Sequence, residues 1–572
     1  MDTPATDQGA PPPEVSPIAA WLCRPRNAAI VAGLVALLFI AFAPKGEDAA
    51  AHLYQTQIWR EHGWRFWDNN WYAGRYSQIN YSLLYYPVAA LLGTWTVVTA
   101  SVAGAAAAFT HLLHSRWPTL ATWPSVTFIF LAPSQVLIGT YPFLFGLALS
   151  LATLAALQVK RWKTAVALGI GVALAHLLAL FLLDSTLAAL AISRRTWRDR
   201  GPARLVALIF IATFGVTLLS WRAFSTQGAT YPFNLGDLSA VLAFCVIGLL
   251  LSLGQDRLGA MRAIFGTYAL ITVGAFAITS PLGSNVGRLV LYLGAPLLMI
   301  PLAARHFRPR IVTAVVIAAT LTWQIFPVAT GVRAATVVRS SSEDFWYPVE
   351  AFLQQYGDPN HRVEVVATDQ HWEAFFLARR GVPLTRGWYR QDDFPSNADL
   401  YGELTATAYR TWLSRLAVKY VFLPNDRLDY SAQAEAKLLR SGILPRVARM
   451  GNWTVYEVPN PTPLATPAAL IRVAAIDATT VTLDAQRARS YRLRLHYTPY
   501  WKVVSGSACV TPTDHADTAL RVLAPGRITL RFTLGIGKVV DEVIGRPAAC
   551  ADATFIGPLA PEPADGGSVP KP

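Results

Sequence analysis

The chain has 572 residues, of which 53% are hydrophobic and only 15% are charged. Soluble globular proteins carry about 25% charged residues, so this composition excludes an ordinary soluble protein and predicts a polytopic membrane protein. The formal net charge is +14, but most Lys and Arg of the apolar half lie in short loops, which signals membrane topology and argues against a nucleic-acid partner.

Residues 1–22 are rich in Pro, Ala, Asp and Thr, and we predict a disordered cytoplasmic tail. The apolar run at 27–43 follows Arg24 and Arg26 without a clear cleavage site, which favours a retained signal-anchor helix. Runs of this kind can cross a hydrocarbon layer of about 30 Å. We predict about eleven spans, some of them short, near 27–43, 88–113, 119–133, 137–158, 164–178, 180–193, 205–221, 236–253, 263–280, 289–304 and 311–328.

The fifth and sixth spans come from one apolar run, "TAVALGIGVALAHLLALFLLDSTLAALAIS" (164–193), with basic sequence at both ends. A tight helical hairpin with His176 near its far tip explains both features. One long tilted helix is the alternative, and it would invert everything downstream. With the hairpin, Lys and Arg concentrate in the loops on one side, so the positive-inside rule puts the N-terminus in the cytoplasm. The transmembrane domain (23–328) then has an outer first loop at 44–87.

Residues after 329 change character and are predicted to lie outside. Short strand patterns such as "RVEVVAT" (362–368) and "VKYVFLP" (418–424) alternate with helical patterns, which predicts an α/β module over 329–466. Successive strands over 467–556 predict a small β-sandwich, and 557–572 forms a disordered tail. Cys509 and Cys550 could form a disulfide if this region is extracytoplasmic, a question that the sequence leaves open.

The first outer loop begins with an acidic pair and a histidine. If the loop opens as a helix, Asp48 and His52 are four residues apart and share one face. Glu47 and Asp48 would also lie in the first turn, where carboxylates suit the positive end of the helix dipole. A simple helix start with an interfacial histidine therefore stays open beside a catalytic interpretation.

The same loop is crowded with aromatic and polar side chains. They suit a belt at the membrane–water boundary, and equally a platform for a sugar or a lining for a lipid carrier. We take as substrate-binding candidates Trp67, Asp68, Trp71, Tyr72, Arg75 and Tyr76.

Two later residues are candidates for the same outer face. Arg288, in "SPLGSNVGRLVLYLGAP" (280–296), stands at an outer helix end, where it could snorkel or bind a phosphate through its guanidinium. Asn285 adds a polar group to the turn beside it. His176 is an ionisable group within the membrane, which is a functional hypothesis by default, although a histidine hydrogen-bonded inside the bundle fits equally well.

The sequence carries no Walker motif, Rossmann glycine pattern, zinc-ligand spacing or nucleophile elbow, which argues against ATP bound by this chain as an energy source. Instead, a series of short motifs follows one another: "EDAAAH" (47–52), "GWRFWD" (63–68), "WYAGRY" (71–76), "PLGSNVGRL" (281–289), "RGWYRQDD" (386–393), "VKYVFLP" (418–424) and "TPYWKV" (498–503). In this order they resemble the GT-C superfamily of integral-membrane glycosyltransferases. More closely, the chain resembles a bacterial branch with a "6-pyruvoyl-tetrahydropterin synthase-related" membrane domain.

The resemblance implies a bacterial inner-membrane enzyme that takes sugar from a polyprenyl-phosphate donor and glycosylates an envelope glycan, lipid or protein on the outer face. It implies a carboxylate of the first loop that acts as base or holds the acceptor, with Asp48 as the best candidate and Glu47 as its competitor. His52 would orient Asp48 or contact phosphate, Asp68 would be a second acidic contact, and Arg288 would hold the donor phosphate. A divalent metal such as Mg or Mn, held by Asp48 and His52, stays open.

Two other functions remain open. A transporter for lipid or sugar could use the same bundle, although we find no inverted repeats or paired broken helices. A non-catalytic assembly protein could bind envelope glycan through its aromatic residues, although the polar content of the first loop counts weakly against this function.

Overall fold

The computed structural model describes residues 16–193, 215, 219–220, 222–224, 229–513 and 515–545. The tail at 557–572, Cys550 and most of the span predicted at 205–221 lie outside these residues. The predicted tail at 1–22 is wrong in its last part, because Pro17–Leu22 is a helix. Ser16 caps this helix by accepting a hydrogen bond from Ala19 N, and Pro17 fits its first turn.

The N-terminal half is helical. Its helices are α1 (Pro17–Leu22), α2 (Pro25–Phe42), α3 (Ala49–His62), α4 (Tyr85–Leu92), α5 (Thr94–Arg116), α6 (Thr122–Leu131), α7 (Tyr141–Gln158), α8 (Trp162–Ala175), α9 (Leu177–Ser193), α10 (Leu235–Ser252), α11 (Gly259–Ala277), α12 (Arg288–Ala304) and α13 (Arg310–Val337). Among the described residues, seven helices are long and apolar enough to cross a membrane. They are α2, α5, α7, α10, α11, α12 and α13, and α8 and α9 are shorter apolar helices.

Several predicted spans are interrupted. Gly93, with φ +89°, divides the span at 88–113 into α4 and α5. His176 is extended, with φ −167° and ψ 121°, and it separates α8 from α9. A single helix over 164–193 is therefore excluded. The two parts also have different neighbours, since α8 packs chiefly on α7 and α9 on α11.

The first loop forms α3 and a short antiparallel hairpin, β1 (Trp67–Asp68) and β2 (Arg75–Tyr76). Its turn needs a left-handed backbone at Tyr72, Ala73 and Gly74. A Cβ at Gly74 would lie 2.6 Å from the Trp67 ring, so only glycine allows the indole to lie flat against this turn.

The C-terminal half contains two sheet regions. The first has α14 (Tyr347–Tyr356), β3 (Arg362–Val365), α15 (Glu373–Phe376), α16 (Arg390–Ser396), α17 (Ala406–Arg415), β4 (Val418–Pro424), α18 (Gln433–Arg440), β5 (Arg446–Met450) and β6 (Trp453–Glu457). Its sheet order is β3-β4-β6-β5, with β3 and β4 parallel and the other pairs antiparallel. We call this region the α/β domain.

The second region, which we call the β domain, has two four-stranded antiparallel sheets with the orders β12-β13-β10-β7 and β11-β14-β9-β8. Residues from both sheets share one apolar core. Its elements are β7 (Ala465–Thr466), β8 (Ile471–Ile476), β9 (Thr480–Ala485), β10 (Ser490–His496), β11 (Trp501–Ser505), β12 (Ala508–Pro512), β13 (Asp517–Val522), β14 (Gly526–Phe532) and the final helix α19 (Ile536–Ile544). Cys509 is disulfide-bonded, while Cys550, the partner that the sequence left open, lies outside the described residues.

The first loop is wedged between the bundle and both C-terminal domains. Trp71 is fully buried, stacks on Tyr54 with ring centroids 4.7 Å apart, and donates to Ala374 O in the α/β domain. Trp67 and Tyr76 belong instead to the core of the β domain. The loop therefore fixes both domains to the end of the bundle at which α3 begins.

Candidate functional site

The backbone before α3 is held by two glycines at close approach. Asp48 N donates to Ile138 O at 3.0 Å. A Cβ at Gly46 would lie 2.3 Å from the carbonyl carbon of Ile138, and one at Gly139 would lie 2.7 Å from Ala49 N. Gly139 also has φ +92°, a conformation that residues with a side chain rarely adopt. These contacts set the position of Asp48, the N-cap residue of α3.

We expect Gly139→Ala to displace Asp48 and to destabilise the protein by about 1–3 kcal/mol, because it adds both a backbone clash and strain at positive φ. The matched control is Gly266→Ala, at a helical glycine whose added Cβ meets no atom within 4 Å. That control is expected to be neutral or to stabilise by about 0.5–1 kcal/mol. Thermal unfolding of both variants in detergent measures the difference, and equal midpoints would contradict the prediction.

Asp48 and Arg288 meet at the end of the bundle. Asp48 Oδ2 lies 3.9 Å from Arg288 Nη2, and the residue is only 7% exposed. Within the described part of the chain, this oxygen and Arg288 Nη1 have no hydrogen-bond partner. Burial raises the pKa of Asp48 to about 7, although Arg288 opposes the shift and Glu47 adds to it. Asp48 can therefore both accept and release a proton near neutral pH.

The two candidate histidines lie beside this pair, each with its ring centroid 5.1 Å from that of Tyr81. His176 Nδ1 accepts a hydrogen bond from Leu178 N at 3.1 Å. In the neutral ring the proton must then be on Nε2, which makes Nε2 a donor. His52 is fully buried, with Nδ1 3.2 Å from the Tyr86 hydroxyl. Burial, His176 and Arg288 lower its pKa well below the usual value, so it is neutral.

Three parts of the bundle, namely α3, the junction of α8 and α9, and the start of α12, thus bring unpaired polar atoms close together. Asp48 Oδ2, His52 Nε2, His176 Nε2 and Arg288 Nη1 are all buried without a hydrogen-bond partner in the described residues. Buried polar atoms are normally paired, so a group of orphans calls for a ligand or ordered water. We call these four residues the orphan cluster. They offer one proton acceptor, one fixed cation and two imidazoles.

The α/β domain covers the orphan cluster with the segment that precedes α16. Trp388 Nε1 donates to Glu47 O at 3.0 Å, and its ring lies 6.4 Å from that of His52. The Tyr389 ring lies 4.9 Å from that of Tyr81. Sequence reasoning recorded "RGWYRQDD" as a motif but gave these residues no role. The signal in the sequence that could have identified them is their place in a segment rich in aromatic residues and Arg.

Glu47 turns away from the orphan cluster, since its side chain is exposed while Asp48 is buried. Its pKa is nevertheless raised by the surrounding protein, against the opposing charges of Arg390 and His371 and with a contribution from Asp429. These charges and the hydrogen bond from Trp388 place Glu47 at the boundary between the bundle and the α/β domain.

Near Glu47, the α/β domain carries a network of charges. Arg390 donates to both carboxylate oxygens of Asp429. His371 lies between Glu373, at 3.0 Å, and Asp429, at 3.6 Å. Burial would lower the pKa of His371, but the two carboxylates raise it to about 9. This cluster is internally paired, which fits a structural role in holding Arg390 near Glu47.

The aromatic candidates of the first loop are placed elsewhere. Trp67 donates to Asn69 Oδ1 and stacks on Phe532, 5.7 Å away, while the Tyr76 hydroxyl bonds that of Thr498. Trp71 is covered by the α/β domain, as described above. The structure does not bring these three rings to the orphan cluster, because each fills an interface with a C-terminal domain.

Most of the remaining candidate residues also bond to other protein groups. Asp68 accepts hydrogen bonds from the Tyr54 hydroxyl at 2.9 Å and from Asn70 N at 3.0 Å. The Tyr72 hydroxyl donates to Tyr389 O at 3.0 Å. Arg75 pairs with Asp392 at 2.7 Å. Asn285 is half-buried in the 3-10 turn immediately before Arg288, which leaves it the closest of this group along the chain to the orphan cluster.

The donor set does not fit a protein-built site for a divalent metal. Among the described residues, no group of three or more His, Cys, Asp or Glu side chains lies close enough together to hold one. The free oxygen of Asp48 faces a guanidinium instead, and a cation of that kind competes with a metal for the same carboxylate. We derive no chemical step through a metal.

Comparison with known proteins assigns no family to the chain. No protein-family model matches the chain, and no curated protein does. Among solved structures, the oligosaccharyltransferase of Archaeoglobus fulgidus, tethered by a disulfide bond to an acceptor peptide containing the NVT sequon, matches with a TM-score of 0.36. The identity is 12%, over 71% of this chain and 70% of that one. A similarity of this size does not place the chain in a family.

Proposed function

We propose that this protein is a bacterial inner-membrane glycosyltransferase that moves a sugar from a polyprenyl-phosphate donor to an envelope glycan, lipid or protein on the outer face. The observation that carries the proposal is the orphan cluster, in which an acid–base group, a cation and two imidazoles converge with unpaired atoms. The order of the sequence motifs resembles that of the GT-C superfamily. This resemblance supports glycosyl transfer as the reaction in which these groups act together.

In the proposed reaction, an acceptor hydroxyl attacks the anomeric carbon of the sugar. Its proton passes to Asp48, its oxygen forms the new glycosidic bond, and the bond from the anomeric carbon to the phosphate oxygen breaks. The electron pair leaves with the phosphate, which needs no proton. Arg288 Nη1 and the Nε2–H of His176 are the donors that receive the developing negative charge. Trp388 covers the cluster and limits the access of water.

The phosphate role of Arg288 is tested by Arg288→Gln. We expect the apparent KM for the polyprenyl-phosphate sugar to rise or kcat to fall, with a loss in kcat/KM of about 10²-fold or more, because a charge-stabilising group has been removed. The matched control is Arg333→Gln, at an exposed arginine near the end of α13. Purified protein in liposomes with labelled donor gives both constants, and normal kcat/KM in Arg288→Gln would contradict the proposal.

The raised pKa of Asp48 predicts the pH dependence. A base must be deprotonated, so kcat/KM is expected to rise with pH through about 7. The contribution of Asp48 to folding stability changes with pH in the opposite direction to the activity. The folded protein binds this proton more tightly than the unfolded chain, whose carboxyl has its usual pKa of 3.8, so this group makes the fold less stable as pH rises from about 4 to 7.

Activity and thermal midpoint are therefore measured together across this range. Activity that falls on acidification without a matching loss of stability supports titration of the base. A flat profile of kcat/KM between about pH 6 and 8 would contradict it. Such a profile would mean that the base has an ordinary carboxyl pKa near 4 and is ionised throughout this range.

A further inference from the structure

The last described helix carries an apolar ridge that no part of the described protein covers. Along α19, Val539 and Val543 pack against the core of the β domain. Ile536, Val540 and Ile544 lie at four-residue spacing on an adjoining face and are 86%, 49% and 55% exposed. Residues at this spacing form one continuous stripe along a helix.

The helix is fixed beside the point at which the chain leaves a predicted membrane span. Arg222, one residue after the apolar run predicted at 205–221, has its Nε 3.4 Å from Val543 O. The Tyr500 hydroxyl donates to Ala223 O at 3.0 Å, and Phe224 stacks on the Tyr500 ring. These contacts hold α19 close to the level of the membrane boundary.

Charged residues of both signs lie around the ridge. Lys538, on α19 itself, donates to Pro499 O at 3.0 Å, and the nearby Lys502 lowers its pKa further after burial. Arg222 is a third cation, while Asp541 and Glu542 on α19 are two carboxylates, so the cations exceed the anions by one. Helices that lie in a membrane interface combine an apolar face with basic residues that attract anionic headgroups.

We infer that α19 is an interfacial helix that lies in the bilayer surface with Ile536, Val540 and Ile544 in the boundary with the acyl chains. In this position it anchors the β domain to the lipid and, through the first loop, holds both C-terminal domains at a fixed height over the bundle. The occupant of the ridge is lipid, because the stripe adjoins the chain that follows the predicted membrane span. The inference does not depend on the reaction proposed above.

The test uses the full chain with Cys23→Ala and Cys245→Ala, which remove the two free cysteines that the structure describes. A nitroxide is attached at V540C, and the protein is placed in nanodiscs of one copy each with anionic lipid. Collision rates with oxygen, which concentrates in lipid, and with a water-soluble nickel chelate are then compared. The matched control is V447C on strand β5, whose native side chain is 45% exposed.

We expect the oxygen-to-nickel ratio to be several-fold higher at 540 than at 447. Equal ratios would overturn the inference, because the ridge would then face water. Low collision rates with both reagents at 540 would also overturn it, since they would mean that protein covers the site. Since each disc holds one copy, a high ratio cannot come from a second molecule.

Discussion

Asp48→Asn is expected to reduce sugar transfer by about 10²–10⁴-fold, the usual contribution of a general base. The amide has the shape of the carboxylate but cannot accept the hydroxyl proton. Folding should survive, because Asp48 Oδ2 makes no hydrogen bond in the described structure and the variant removes a buried charge rather than a packed group. Transfer from labelled polyprenyl-phosphate sugar in membranes measures the loss, with thermal unfolding measured on the same protein.

The control for this experiment is Glu47→Gln, one residue away. Glu47 is exposed, whereas Asp48 is buried against Arg288, so Glu47→Gln should keep most of the activity. Normal transfer by Asp48→Asn would eliminate it as the base. Loss in Glu47→Gln alone would assign the role to Glu47, and persistence of donor binding without transfer in the native protein would favour the binding-only alternative.

Arg75→Met is expected to destabilise the protein by about 3–5 kcal/mol, because it leaves Asp392 as an uncompensated buried charge. Arg75 Nε donates to Asp392 Oδ2 at 2.7 Å, and both side chains are less than 10% exposed. The guanidinium also lies 4.2 Å over the Tyr389 ring. The pair joins the first loop to the α/β domain, so its loss should loosen the cover over the orphan cluster and lower transfer as well.

The matched control is Arg415→Met. Its pair with Asp399 has N and O atoms 3.7 Å apart, and both side chains are about half exposed. Exposed pairs contribute about 0–1 kcal/mol. Denaturant unfolding of the full chain in detergent compares the two variants, and a double-mutant cycle with Asp392→Asn isolates the coupling. An effect of Arg75→Met as small as that of Arg415→Met would contradict the prediction.

The sequence by itself determined the elements with strong local patterns. The first span, predicted at 27–43, is α2 at Pro25–Phe42, and the strand "VKYVFLP" is β4 at Val418–Pro424. Asp48 and His52 were predicted to begin one helix, and they do. These features depend on the periodicity of neighbouring residues, which any reader of the sequence can see. The charge map also predicted Arg288 on the face where Asp48 lies.

The tertiary structure alone decided which polar and aromatic groups are left free. Trp67, Trp71 and Tyr76 are residue types of a membrane belt or a sugar platform, but residues some 300–470 positions later in the sequence cover them. Trp388 reaches Glu47 across a similar separation. A residue type fixes what a side chain can bond. The packing of elements that are far apart in the sequence determines which of these bonds form, and therefore which atoms remain unpaired for a substrate.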